Sequence, residues 1–132
     1  MNNDIDIDTM LWEIFDYLKD ELLHDKNVVA TYCAEEFPPT LSITTTSNSK
    51  FDLPIEMLTD DYNVLDKYQL MYSKIDDNEL AEVLNSVRIC IRKWKYANNV
   101  KSINDNEFGP SIYFENDYGM KFSIGITRMP ML

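Results

Sequence analysis

Side chains that perform nucleophilic or metal chemistry are scarce in this sequence. It contains one histidine, His24, and two cysteines, Cys33 and Cys90, which lie far apart along the chain. A cysteine nucleophile would need His24 beside it in the fold, and no local catalytic signature surrounds either cysteine. The three residues also lack the paired spacing of zinc ligands. The sequence therefore predicts no catalytic residue, no metal site and no cofactor.

Two acidic segments imitate calcium-binding loops, but both depart from the pattern. The segment that begins at Asp4 has Thr9 where the loop needs a glycine and Phe15 where it needs a bidentate glutamate. The segment that begins at Asn104 has Phe108 at a ligand position. The chain also has three glycines, too few and too widely spaced for a phosphate-binding loop.

The charge balance restricts the kind of partner. The 132 residues include 12 Lys+Arg and 23 Asp+Glu, which gives a net charge of −11 and an isoelectric point near 4.3. Such a chain is repelled by nucleic-acid phosphates and by anionic membranes, and it attracts basic proteins. One basic stretch runs from Arg88 to Lys101, but its Trp94 continues an apolar helical stripe. We therefore expect Trp94 in the core, and no direct binding of nucleic acid or membrane.

The length indicates a single domain over residues 1–132. The acidic start lacks the features of a secretion signal, and no apolar run is long enough to span a membrane. We expect a cytoplasmic protein whose two cysteines are buried thiols without a disulfide. The richness in Asn, Asp, Ile and Lys is typical of AT-rich bacterial or phage genomes.

Two segments have the apolar periodicity of amphipathic helices, residues 8–25 and 77–97. Strands are predicted at 27–34 and 40–46, at 51–55 as an edge strand because of Pro54, and as a hairpin of 111–115 and 120–126. Between them, 55–65 is predicted as a short helix or turn, 67–74 as a strand and 100–110 as a polar loop. The order favours an α+β fold of two layers, an antiparallel sheet of about five strands with two amphipathic helices on one face.

Acidic and aromatic residues occur together in two places. Glu13, Asp16, Tyr17 and Asp20 are predicted on the outer side of the first helix, and a second group is formed by Asp60, Asp61, Tyr62 and Asp66. Acids steer a basic partner, and tyrosines give rigid contact area. A solvated helix face and a polar loop would show the same pattern. We predict that these eight residues bind the partner.

In size, charge and element order the chain resembles three families of small acidic binders. They are the immunity proteins that neutralise basic toxins, the class I type III secretion chaperones, and phage-encoded inhibitors of bacterial defence, some of which mimic DNA. The chaperones usually end in a helix, whereas this chain is predicted to end in a hairpin. No family residue can be assigned to a position here.

The sequence therefore favours an immunity-type inhibitor, not an enzyme, that is a monomer or homodimer and occludes the active site of a basic toxin or nuclease. A dimeric chaperone for an unfolded partner segment and an anti-defence protein that mimics nucleic-acid charge are the alternatives.

Overall fold

The chain was described from a computed structural model, and the description covers residues 7–34, 38–58, 69–70, 77–105 and 109–130. Within these residues two helices and eight strands follow in this order: α1 (Ile7–Leu22), β1 (Val28–Cys33), β2 (Thr40–Thr45), β3 (Lys50–Leu58), β4 (Gln69–Leu70), α2 (Asn78–Lys93), β5 (Asn98–Asp105), β6 (Gly109–Glu115), β7 (Lys121–Gly125) and β8 (Thr127–Arg128).

The strands form one antiparallel sheet in the order β1-β2-β3-β7-β6-β5-β4, and β8 pairs with β3 beside this path. The predicted α+β class and the antiparallel sheet are confirmed. The sheet has more strands than the five expected, and two of them, β4 and β8, are only two residues long.

One face of the sheet carries the core. Directly opposed residues of an antiparallel pair share a face, so the pairs Ile43–Phe51 and Phe114–Phe122 both point to this side. All four side chains are fully buried. The opposite face of the hairpin is also partly buried, since Tyr113 lies on that face and is 3% exposed.

Both helices bury one apolar stripe against this core face. The stripe of α1 is formed by Leu11, Ile14, Phe15, Leu18 and Leu22. Helix α1 contacts β1, β2 and β3, and α2 contacts β5 and β6, so each covers one half of the sheet. Asp77 caps the start of α2, because its carboxylate oxygen accepts the Leu80 backbone N–H at 3.0 Å.

Strand β3 corrects the prediction of an edge strand. It lies inside the sheet, with β2 beside Lys50–Pro54 on one side and, on the other side, β8 beside Phe51–Asp52 and β7 beside Ile55–Leu58. A proline has no N–H to donate, so Pro54 suits the break between the residues that pair with β8 and those that pair with β7. The predicted helix or turn from residue 55 is therefore wrong up to Leu58.

The polar loop expected at 100–110 is also wrong, because most of it belongs to β5. Ile103, fully buried, lies opposite Ser111 of β6. The backbone hydrogen bonds of β5 are made to β6, and this pairing cannot be predicted from the polar sequence of the segment. Helix α2 ends at Lys93, four residues before the predicted end. The rest of the predicted 55–65 segment lies outside the described residues, and of the predicted 67–74 strand only Gln69–Leu70 is described.

Candidate partner-binding surface

The outer side of α1 presents three acids. Successive residues of a helix are rotated by about 100°, so Glu13, Asp16 and Asp20 fall within one sector of its circumference. That sector is opposite the buried stripe, and all three side chains are exposed. The structure therefore brings together three of the eight residues predicted for partner binding.

Trp12 belongs to the same surface, and the sequence analysis did not find it. Its side chain is 39% exposed, and its ring packs edge-on against Phe15 with the ring centroids 5.0 Å apart. Phe15 is buried, so the core fixes the orientation of the exposed indole. The sequence does contain a sign of this exposure. Trp12 follows Leu11 and falls outside the apolar i, i+3, i+4 stripe of the helix.

Among the described residues, no cationic group lies within 4.0 Å of the carboxylates of these three acids, and the ion pairs of Arg128 with Asp77 and Glu79 lie elsewhere. Carboxylates that have no neighbouring cation contribute their full field to the solvent around the helix. The outer side of α1 is thus an acidic surface with one exposed aromatic ring.

Tyr17 is not on this surface, which corrects the prediction that it lies among the exposed acids. Its side chain is half-buried and turned toward α2. The hydroxyl donates to the Cys90 carbonyl oxygen at 2.6 Å, and the ring stacks on Trp94 with centroids 5.0 Å apart. Burial, followed by the nearby Glu21 carboxylate, raises the pKa of Tyr17 to about 12.

The second predicted group lies outside the described residues. Asp60, Asp61, Tyr62 and Asp66 all fall between β3 and β4, and this range is not described. Their assignment to partner binding stays a prediction.

The groove between the end of α1 and α2 brings His24 and Cys90 together, along with Glu21 and Asp25. Burial raises the pKa of the Cys90 thiol to about 11, and the two carboxylates add to this effect. The thiolate is the reactive form, so Cys90 is a poor nucleophile at neutral pH. The acids make this groove unsuited to cysteine chemistry.

The cysteines bear out one expectation and correct another. Neither Cys33 nor Cys90 is part of a disulfide, as predicted. Cys90 is buried, whereas Cys33 is exposed because β1 lies at the edge of the sheet.

Arg128 joins the end of the chain to the start of α2. Its guanidinium donates to both carboxylate oxygens of Asp77 at 2.8 Å, and it lies 3.1 Å from Glu79. Hydrogen bonds from Ser47 and then from Ser49 lower the pKa of Glu79 to about 2. Each charge has a counterion or a hydroxyl partner within the protein, so the cluster fastens β8 and the β2–β3 turn to α2.

A pocket of 370 Å³ lies beside this cluster, between the start of α2 and the start of β1. Its floor is apolar, from Leu22, Ile43 and Val83, and its rim carries Glu79 and Glu82. In the described part of the chain, every buried side-chain nitrogen and oxygen has a hydrogen-bond partner. No unsatisfied polar atom is therefore directed at a ligand here.

The basic end of α2 does not form a base-stacking platform around Trp94. That side chain is partly buried, packed against the core and against Tyr17 and Phe114. This agrees with the expectation that Trp94 is a core residue. Tyr96 is the exposed ring of this region, and the Lys95 ammonium lies 4.9 Å from its centre.

The described residues contain no group of three or more His, Cys, Asp or Glu side chains that could hold a metal ion. No helix among them is long and apolar enough to cross a membrane.

Comparison with protein families, with curated proteins and with solved structures gave no match to this chain.

Proposed function

We propose that the protein is a small acidic protein-binding module of the immunity type. It binds a cationic toxin or nuclease domain in the cytoplasm of a bacterium, encoded by the host or by a phage, and occludes the partner's active site. One observation carries the proposal: the outer side of α1 combines the exposed carboxylates of Glu13, Asp16 and Asp20 with the exposed ring of Trp12.

The acids supply attraction at a distance. With a net charge of −11, the whole chain draws in a basic domain, and the three acids of α1 concentrate that field on one side. Electrostatic steering of this kind raises association rates by about 10–1000-fold at low ionic strength. Fast capture is what an inhibitor of a damaging enzyme requires.

Trp12 supplies the short-range anchor. Tryptophan is enriched among residues whose truncation costs most binding energy, provided that surrounding contacts exclude water. Leu23, just beyond the end of α1, is also exposed. A partner that covers the middle of α1 would enclose the indole beside the acids.

The test is affinity capture from the cells that encode the protein, with three baits compared quantitatively. The first bait is the wild type, and the second has Glu13→Gln, Asp16→Asn and Asp20→Asn. The matched control has the same change in charge at exposed acids elsewhere on the described surface, by Glu56→Gln, Glu82→Gln and Asp117→Asn.

We expect the wild type and the control to enrich the same basic protein, and the α1 variant to lose it. Purified protein should then inhibit the activity of that partner. Equal enrichment by all three baits, or enrichment of a protein that is not basic, would contradict the proposal.

A further inference from the structure

Strand β1 forms one edge of the sheet. It pairs with β2 on one side, and no strand among the described residues pairs with its other side. Natural proteins protect such edges with charged side chains, prolines or bulges. The six residues Val28–Cys33 contain neither a charge nor a proline, and the register shift between Val28 and Ala30 is the one protective irregularity.

The hydrogen-bond pattern identifies which backbone groups face outward. The Ala34 N–H donates to the Thr40 carbonyl at 3.0 Å, and hydrogen-bonded pairs recur every two residues in an antiparallel ladder. Ala30 and Tyr32 therefore direct their backbone groups to β2. The N–H and C=O of Thr31 point away from the sheet.

The acidic surface of α1 lies beside this edge. The Thr31 hydroxyl donates to the Lys19 carbonyl oxygen, so this side of α1 faces β1. Asp16 and Trp12 precede Lys19 by three and seven residues, which places them on the same side of the helix. A strand added at Thr31 would run along the side of α1 that carries Lys19, Asp16 and Trp12.

We propose that the cationic partner adds an extended segment, antiparallel to β1, along the outer edge of that strand, with basic side chains at alternate positions directed toward the acids of α1. The inference rests on the proposed function and specifies how the partner binds. Residues opposite Thr31 would share its face of the sheet, which is the helix side, so these are the positions for Lys or Arg. A second copy of this chain is a poorer occupant of the edge, because it also has a net charge of −11 and the two copies would repel each other.

The probe is a synthetic octapeptide of alternating Lys and Val, used with the full chain. In the proposed complex each Lys residue directs its backbone N–H to β1 and its side chain to α1. We therefore compare two N-methylated forms, one methylated at the Lys nitrogens and one at the Val nitrogens. The two forms have identical composition and charge, and they differ only in which edge of the peptide can donate.

Methylation at Lys should weaken binding by about tenfold or more, because several edge hydrogen bonds are lost together. Methylation at Val should leave the affinity near that of the parent peptide, and the parent should slow exchange of the Thr31 amide hydrogen. Equal affinity of both methylated forms would overturn the inference.

Two variants separate this inference from the proposed function. Thr31→Pro removes an outward N–H but no bond to β2, and it should abolish binding of the parent peptide; unchanged binding contradicts the inference. Should this variant misfold, the methylated peptides still decide. Loss of binding in the α1 triple variant, with the two methylated forms equal, would keep the proposed function and reject the edge. A wild-type dimer that Thr31→Pro dissociates would assign the edge to a second copy instead.

Discussion

Replacing Tyr17 by phenylalanine removes one hydroxyl from the interface between the two helices. That hydroxyl donates to the Cys90 carbonyl, which is among the last four carbonyls of α2 and has no partner within the helix. A neutral hydrogen bond contributes about 1 kcal/mol, and leaving a buried acceptor unsatisfied costs about 1–3 kcal/mol. Because Tyr17 is only half-buried, water can partly replace the hydroxyl, and we expect a loss of about 1–2 kcal/mol.

Urea unfolding followed by circular dichroism measures this difference, provided that the denaturant dependence is the same in both proteins. The matched control is Tyr118→Phe, because Tyr118 is 74% exposed and its free energy of unfolding should change by less than about 0.5 kcal/mol. If Tyr17→Phe were as stable as Tyr118→Phe, the hydrogen bond from Tyr17 to Cys90 would not stabilise the packing of α1 on α2.

The pH dependence gives a second signature. The pKa of Tyr17 is raised in the folded state from 10.0 to about 12, so the protonated form is favoured by folding. Its contribution is complete below pH 10 and is lost as the pH rises toward 12. The stability difference between wild type and Tyr17→Phe should therefore shrink across this window. Groups that do not interact with Tyr17 titrate equally in both proteins and cancel in the difference, whereas Cys90, with a pKa of about 11, is coupled to Tyr17 and contributes to it.

Three further predictions concern the acid cluster, the core and the binding surface. Glu79→Gln should lower the free energy of unfolding by about 1 kcal/mol at neutral pH, since the carboxylate is partly screened by solvent. The pKa of Glu79 is lowered from 4.5 to about 2, so the stability of the wild type should fall as the pH drops below 4.5. In acid titrations the stability of the variant should fall less. Trp94→Ala should destabilise the fold by about 3 kcal/mol in urea unfolding, and near-wild-type stability would place this ring outside the core. Replacing Glu13, Asp16 and Asp20 by amides should lower the association rate with the captured partner and flatten its salt dependence in surface plasmon resonance, and a salt-independent rate in both proteins would contradict steering.

The helices and the hairpin could be predicted because their signals are local. The apolar stripe of α2 and its Asp77 cap lie within a single stretch of chain, so periodicity and capping point to the same structure. The same holds for the turn after β6, where the Asn116 side chain accepts the N–H of both Tyr118 and Met120, and Gly119 adopts φ +78°.

Strand β5 could not be predicted because its cause is distant in sequence. Its segment, NNVKSIND, is mostly polar, and Asn99 has φ +53°, which strands seldom adopt. The ladder with β6 and the burial of Ile103 outweigh this weak local preference. The edge position inferred from Pro54 was wrong for a related reason, since only the sheet topology reveals that strands lie on both sides of β3.

The candidate surface was predictable to the extent that one helix determines it. The three acids of α1 follow from the position of its apolar stripe alone. Tyr17 lies at the border of that stripe, and its environment depends on where α2 packs, which periodicity does not reveal. Trp12 lies beyond the other border, and a large aromatic ring is easily taken for a core residue.

The buried side of α1 also bears on the exposed side. Tyr17, Trp94 and the core fix the helix on the sheet, and Phe15 fixes the ring of Trp12. A surface that is already ordered loses less conformational entropy when a partner binds. The backbone of α1 and the indole of Trp12 are therefore held in one arrangement before any partner binds. In the proposed complex, Tyr17 would orient α1 and would not contact the partner.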